Sequence, residues 1–243
     1  MVDDTGKALD RAEECRTRAG VAVLVFGAAL RKDSYNVRLA ALAEQVARAR
    51  GATVQRANMA DFDCPPYNQD VQDTVGIPAG AHAFCRALKA ADAFMIASPE
   101  YNASMPGYLK NAIDWVSRFR PQPLNGKQGF LLSASPAMGG GNRGLWSLRV
   151  PLEHLGARMY PDMFSLAQAH QAFDASGGLA DPKLRERFQD TIGCFLDLVE
   201  AAKHYPGLKK RWIEFPGERS DPETDRDETS ETEGEPEAVI APR

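Results

Sequence analysis

The sequence predicts an α/β fold in which a parallel sheet is covered by helices on both faces. Two observations lead to this class. Short apolar runs alternate along the chain with longer stretches whose apolar residues recur at helical spacing. Most apolar runs also end in a glycine-containing or polar loop before the next helical pattern begins. A strand, loop and helix repeated in this order are typical of a parallel sheet with helical crossovers.

The predicted strands are short and mainly apolar. In chain order they are Val21–Phe26, Ala52–Arg56, Ala93–Ala97, Lys127–Ala134 and Arg158–Tyr160, with Met163–Leu166 as a possible part of the fifth. The predicted helices carry apolar residues three and four positions apart. In chain order they are Tyr35–Arg50, Ala79–Ala91, Gly107–Phe119, Arg143–Leu155 and Leu184–Lys203. Between the second strand and the second helix, Asn58–Pro78 is predicted to be a long irregular segment.

The two ends of the chain differ from the middle. Residues 1–19 are charged and predict an N-terminal arm, residues 20–205 the folded domain, and residues 206–243 an acidic tail. Gly217–Arg243 contains ten acidic residues and three arginines, with no aromatic residue. Such a segment buries too little apolar surface to offset its conformational entropy, so disorder is predicted for the tail.

Composition excludes several classes of protein. The net charge of −4 over 243 residues gives no reason to expect a nucleic-acid partner. No apolar stretch approaches the roughly 20 residues that span a bilayer, so no membrane association is expected. The four histidines show no metal-ligand spacing, and no metal site is predicted. A cytoplasmic protein with free thiols is expected, because the cysteines are scattered and form no CxxC pair. They are Cys15, Cys64, Cys85 and Cys194.

The loop after the first strand predicts an anion site. It runs from Gly27 to Asn36 and leads into a helix, so its N–H groups and the positive helix end converge. Arg31 adds a permanent cation, and Ser34 and Asn36 add polar side chains. The loop has neither a Walker sequence nor a G-x-G-x-x-G fingerprint. The alternative is that Ser34 only caps the helix and that Arg31 is a solvated charge.

Two further loops follow buried strands. The first reads SPEYNASMPGYLKN over residues 98–111, and Pro106 suits the first turn of the helix after it. The second reads SASPAMGGGNRG over residues 133–144, and its three consecutive glycines allow close approach to a ligand. Each also has a plain alternative, a turn that binds nothing. Ligands of open α/β sheets bind at the carboxyl ends of strands, where both loops lie.

The segment from Pro99 to Trp115 closely resembles the PEYN-x-S-x-PG-x-LKN-x-IDW signature of NADPH-dependent FMN reductases. This resemblance covers roughly residues 21–204 and implies a flavodoxin-like fold, a five-stranded parallel sheet in the order 2-1-3-4-5. It implies that FMN is the cofactor and NADPH or NADH the co-substrate. It assigns the FMN phosphate to Arg31, Ser34 and Asn36. The flavin ring and ribityl chain are assigned to Pro99, Glu100, Tyr101, Asn102, Ser135, Gly139 and Gly140, with Arg143 a weaker candidate for the NADPH phosphate.

The implied activity is that of an FMN-dependent NAD(P)H oxidoreductase. Hydride would pass from NADPH through flavin N5 to a small-molecule acceptor, which is a quinone, an azo compound, chromate or free flavin. The cofactor carries this chemistry, so no side chain is assigned a catalytic role. The alternative is a flavin-binding electron carrier or sensor without steady-state turnover, since fold alone does not decide function.

A homodimer or homotetramer is also expected. Relatives in the family assemble in this way, with the active site near the interface. Two segments of the sequence suggest the contact surface: the loop 61–70, whose aromatic residues flank two prolines, and the helix Tyr108–Phe119. The helix carries more apolar surface than one core face needs, and aromatic residues are typical of interface cores.

Overall fold

A six-stranded, wholly parallel sheet forms the centre of the computed structural model, which describes residues 20–204. The predicted N-terminal arm and acidic tail lie outside the described residues. The strands are β1 (Ala22–Gly27), β2 (Thr53–Asn58), β3 (Ala93–Ala97), β4 (Gln128–Ala134), β5 (Arg158–Met159) and β6 (Phe164–Leu166). Their order is β2-β1-β3-β4-β5, with β6 also paired to β4. The predicted class and strand order are therefore confirmed.

Seven helices surround the sheet in this part of the chain. They are α1 (Tyr35–Ala49), α2 (Gln69–Val75), α3 (Ala79–Lys89), α4 (Gly107–Val116), α5 (Asn142–His154), α6 (Ala169–Ala172) and α7 (Pro182–Lys203). None of these helices is long and apolar enough to cross a bilayer.

Two apolar cores lie on opposite faces of the sheet. Side chains alternate between the faces of a strand, so Leu24 and Phe26 enter one core and Val23 and Val25 the other. Helices α3, α4 and α5 cover the first core. Helices α1 and α7 cover the second, where α7 contributes Phe188 and four further buried apolar residues. Burial on both faces explains why β1 and β3 are nearly continuous apolar runs.

The structure has two short strands at the place where the sequence predicts a single fifth strand. Two short strands, β5 and β6, both pair with β4, the first near its start and the second at its end. Tyr160–Met163 separates them, and Pro161 in that segment has no N–H to donate to a ladder. The sheet thus has six strands in five positions.

The segment Asn58–Pro78 is less irregular than predicted. A 3₁₀ turn occupies Met59–Phe62, and α2 begins after Asn68, whose side chain accepts from the N–H of Asp70. These elements are too short for a 3.6-residue apolar repeat to be visible in the sequence.

Several apolar side chains of the two segments expected to supply a subunit interface are packed within the chain. Phe62 is buried against Phe26 and Phe84, and Tyr67 packs edge-on against Trp115. The four large aliphatic and indole side chains of α4 are also buried: Leu109, Ile113, Trp115 and Val116. They pack against α3 and the 59–67 segment, and a subunit interface at these two segments stays a prediction.

Candidate cofactor-binding site

Three loops meet at the carboxyl edge of the central strands. Gly27 at the end of β1 lies beside Ala97 at the end of β3, and Ala97 lies beside Leu132 of β4. The loops that follow these strands are called here the anion loop (28–34), the turn loop (98–106) and the glycine loop (135–141). All ten residues assigned from the sequence lie in these loops or in the first turn of α1. The topology therefore brings the assigned residues to one edge of the sheet.

The anion loop presents unsatisfied backbone donors. Within residues 20–204, no protein acceptor bonds the N–H groups of Arg31, Lys32, Asp33 or Tyr35. Asp33 has a φ of 61°, a left-handed conformation that lets successive N–H groups point into one concavity. The positive end of α1 begins at the same place. Donors and dipole together form a cradle for an anion.

The side chains of the anion loop have distinct positions. Arg31 is exposed, and its guanidinium lies 5.9 Å from the centre of the Tyr35 ring. Ser34 is buried, and its hydroxyl oxygen accepts from the N–H of Asn36 at 3.2 Å, so the predicted helix cap is present. That hydroxyl keeps its own proton for a second acceptor. Arg31 therefore provides an accessible cation beside the cradle.

Asn36 joins α1 to β4. Its side-chain Nδ2 donates to the carbonyl of Ala134, and its Oδ1 accepts from the Ala134 N–H, both at 2.9 Å. The side chain is buried, so these bonds are protected from water. The contact that the structure shows for Asn36 therefore links the first turn of α1, just after the anion loop, to the end of β4, just before the glycine loop.

The turn loop is a tight reversal held by its own backbone. Tyr101 and Ser104 exchange two N–H to carbonyl bonds of 2.9 and 3.0 Å. The two residues between them have positive φ, 53° for Asn102 and 63° for Ala103, as a type I′ turn requires. Asn tolerates this conformation better than Ala does. Tyr101 and Asn102 are exposed at the mouth of the site, and Pro99 is half-buried behind them.

Glu100 is turned toward α5. Its carboxylate accepts from the Gly144 N–H at 3.1 Å and pairs with Arg143 at 2.8 Å. The N-cap residue of α5 is Gly141, which has no side chain to satisfy the free N–H groups of that helix. Glu100 serves as that cap from another loop, and the Glu100 side chain is only 13% exposed. A Cβ at Gly144 would come within 3.1 Å of Glu100, so glycine allows this approach.

The glycine loop combines a fixed base with an open tip. Ser135 accepts from the Ala137 N–H at 3.2 Å, and the Gly140 carbonyl accepts from the buried Ser133 hydroxyl. Gly140 has a φ of 61°, which favours glycine. Gly139 is exposed, and a Cβ built there meets no atom within 4 Å. Packing within the chain therefore does not require glycine at 139.

One residue of the site was missed from the sequence. Tyr108, in the first turn of α4, donates its hydroxyl to the carbonyl of Ala28 at 3.1 Å. Its hydroxyl oxygen also lies 3.5 Å from that of Tyr101. Burial, followed by the bond to Tyr101, raises the pKa of Tyr108 well above its usual range, so it is a neutral phenol. The only signal in the sequence is a tyrosine one position after Pro106-Gly107.

Comparison with known proteins gives consistent results. The family model for NADPH-dependent FMN reductase matches residues 21–171. An NAD(P)H-dependent FMN reductase of Pseudomonas aeruginosa is 39% identical over 175 residues, which is 71% of this chain and 91% of that protein. A quinone reductase of Escherichia coli is 32% identical over 183 residues, covering 74% of this chain and 96% of that protein.

Among solved structures, the flavoenzyme NAD(P)H:(acceptor) oxidoreductase FerB from Paracoccus denitrificans superposes with a TM-score of 0.65 and 30% identity. The match covers 75% of this chain and 98% of that one. The aligned part therefore corresponds to nearly the whole of that enzyme. With the family match over residues 21–171, these likenesses show that the chain belongs to the NADPH-dependent FMN reductase family.

Proposed function

We propose that this protein is an FMN-dependent NAD(P)H oxidoreductase that reduces small-molecule acceptors, with quinones and free flavins as the favoured class. Relatives of two kinds, an FMN reductase and a quinone reductase, support this activity. The observation that carries the proposal is the row of unsatisfied N–H groups in the anion loop, which lies at the same sheet edge as the turn and glycine loops. A phosphate beside a flat polar ring fits that arrangement.

The anion loop fits the FMN phosphate. Four backbone N–H groups and the end of α1 supply donors without a side chain, and Arg31 adds a positive charge. Ser34 can donate its hydroxyl proton to a phosphate oxygen while its oxygen still caps α1. Asn36 then acts mainly by holding this loop against β4.

The other two loops fit the ring and the ribityl chain. Backbone groups of Pro99 to Asn102 can bond the polar edge of the ring, because the type I′ turn fixes their direction. Ser135, Gly139 and Gly140 form the opposite side, where the open Gly139 tip leaves room for close approach. Glu100 holds these two loops together through the first turn of α5.

The protein's part in the reaction is to bind and orient. FMN, when bound, supplies the redox chemistry between NAD(P)H and the acceptor. The exposed Tyr101 lies at the mouth of the site, where the nicotinamide and the acceptor must enter. Arg143 pairs with Glu100, the residue before Tyr101, and its side chain is still 76% exposed, so it is accessible to the NADPH phosphate.

The proposal is tested by reconstitution. The purified protein is saturated with FMN, and NADPH oxidation is measured with a quinone as acceptor. We expect steady-state turnover well above that of free FMN, and loss of the flavin absorbance band when NADPH is added without oxygen. Turnover no faster than free FMN would contradict an enzyme. Bound flavin that NADPH fails to reduce would instead favour an electron carrier.

The phosphate assignment has a matched pair of variants. Arg31→Ala removes a cation from the anion loop, whereas Lys89→Ala removes an exposed cation at the opposite edge of the sheet. Loss of a bond to a charged group costs about 1.5–3 kcal/mol, or roughly 10- to 100-fold in FMN affinity. We expect this loss for Arg31→Ala with FMN and little change with riboflavin, which has no phosphate. Equal losses for both flavins would contradict the assignment.

We further propose that the chain forms a homodimer through the outer face of α5. Trp146 and Val150, one turn apart on this helix, are 57% and 69% exposed. Two antiparallel copies of α5 would place Trp146 of each copy against Val150 of the other. Such a self-complementary face suits two-fold symmetry.

Sedimentation velocity tests this interface. The wild-type protein is expected to sediment as a dimer at micromolar concentration, and Trp146→Glu as a monomer. Val75→Glu is the control, because Val75 is 81% exposed on α2, away from α5. A wild-type monomer, or a Trp146→Glu dimer, would contradict the proposed surface.

The cytoplasmic location remains a prediction, and cell fractionation would test it. In the described part of the chain, Cys64, Cys85 and Cys194 form no disulfide.

A further inference from the structure

Tyr108 is the side chain that connects the anion loop to the turn loop. Its hydroxyl donates to the carbonyl of Ala28, the first residue of the anion loop, at 3.1 Å. The same oxygen lies 3.5 Å from the Tyr101 hydroxyl, and the two rings meet edge to face with centroids 6.3 Å apart. A single phenol thus touches both loops.

The backbone on either side of Tyr108 is itself well fixed. Tyr108 follows Pro106 and Gly107, and the Leu109 and Lys110 N–H groups bond the Pro106 carbonyl. Leu109 and the next turn of α4 are buried in the core, which leaves the ring of Tyr108 little freedom to move. The hydroxyl of Tyr108 therefore ties the start of the anion loop to α4. The N–H groups that follow in this loop are unsatisfied. In the described chain, the N–H groups from Arg31 to Asp33 have no protein partner that would hold them instead.

We infer that Tyr108 is a positioning residue that orders the anion loop before the FMN phosphate binds and couples it to the turn loop. This inference rests on the proposed function. A loop that is ordered in advance loses less conformational entropy when the ligand arrives, so affinity rises without a direct contact. Because Tyr108 bonds the anion loop at Ala28, its effect should depend on the phosphate of the ligand.

The experiment compares Tyr108→Phe with Tyr67→Phe for two ligands. Tyr67 is a matched control, since it is half-buried and its hydroxyl also donates a hydrogen bond, to the side chain of Gln69 at 2.7 Å, away from the three loops. Dissociation constants for FMN and for riboflavin are measured by quenching of flavin fluorescence. Tyr108→Phe should weaken FMN about 3- to 10-fold and riboflavin less than about twofold, since a single hydrogen bond is lost. Tyr67→Phe should leave the ratio of the two constants unchanged.

Several outcomes would overturn the inference. Equal weakening of both flavins would give Tyr108 a general structural role, and no weakening of either would give it none. Wild-type protein that binds neither flavin would refute the proposed function itself, which is a different result. A thermodynamic cycle with Arg31→Ala supplies a second measurement. The losses in FMN affinity should be less than additive if both residues act through the anion loop, and full additivity would contradict the coupling.

Discussion

At the residue scale, the strain at Ala103 gives a direct prediction. Ala103 has a φ of 63°, where a Cβ costs about 1–2 kcal/mol relative to glycine. Ala103→Gly should therefore raise the free energy of unfolding, by about 0.5–1 kcal/mol after the greater entropy of glycine in the unfolded chain is subtracted. Urea denaturation with an unchanged m-value measures it. A lower midpoint would show that the alanine methyl makes a contact worth more than the strain.

Cys64 provides a prediction about pH. Burial, followed by the charge of Asp63, raises the pKa of the Cys64 thiol to about 11. At pH 8, about one Cys64 side chain in a thousand is then a thiolate. For a thiol with the ordinary pKa of 9, the fraction is about one in ten. Iodoacetamide should label Cys64 far more slowly than the exposed Cys194.

The raised pKa of Cys64 also makes the stability of the folded state depend on pH. A thiol whose pKa is raised by folding favours the folded state below about pH 9, and that contribution is lost as the pH rises from 9 toward 11. Site-resolved mass spectrometry should show labelling of Cys64 still increasing with pH from 9 toward 11. Equal rates at pH 8 would show that Cys64 is ionised like an ordinary thiol.

At the scale of elements, Glu100 is expected to stabilise α5 from a distance. Glu100→Ala leaves the Gly144 N–H without an acceptor and should cost about 1–3 kcal/mol of unfolding free energy. Glu100→Gln keeps an acceptor and should cost less. Arg143→Ala removes only the exposed side of the ion pair and should cost below about 1 kcal/mol. Chemical denaturation measures the decrease in unfolding free energy for each of the three variants. An equal decrease for Arg143→Ala and Glu100→Ala would contradict the capping role.

The order and type of most elements could be predicted from the sequence, because the central strands are buried on both faces and the helices have one apolar side. The split of the fifth strand could not, since a two-residue strand has no periodicity. For the site, loop positions followed from strand ends. The partners of individual side chains did not: Asn36 bonds Ala134, and Tyr108 bonds Ala28, across 98 and 80 positions of the chain.

Apolar residues in the sequence do not by themselves locate a subunit interface, for a related reason. The apolar residues in the sequence of a helix show how much of its surface must be buried. They do not show which element buries it. Residues 59–67 pack against α4, so the apolar residues that suggested a partner subunit are satisfied within one chain. The exposed Trp146 lies on α5, where polar, charged and proline residues alternate with the apolar ones, so the sequence does not mark an exposed apolar face there.

At the scale of the whole molecule, FMN should raise thermal stability. A ligand that binds only the folded state adds about 2.7 kcal/mol at a free concentration of 100 times its dissociation constant. For a domain of this size, that corresponds to an increase in Tm of about 5–11 °C. Differential scanning calorimetry at several FMN concentrations should show this rise, with riboflavin at the same concentration giving a smaller one. An unchanged Tm would contradict specific binding.

The central place of β1 has a consequence for synthesis on the ribosome. The N–H of Ala22 bonds the carboxylate of Asp92, which emerges 70 residues later. At about 5–20 residues per second, the first strand waits about 4 to 14 seconds for its second neighbour. During that interval an apolar strand has one open edge, so a nascent chain stalled before Asp92 is the form that we expect a chaperone to bind.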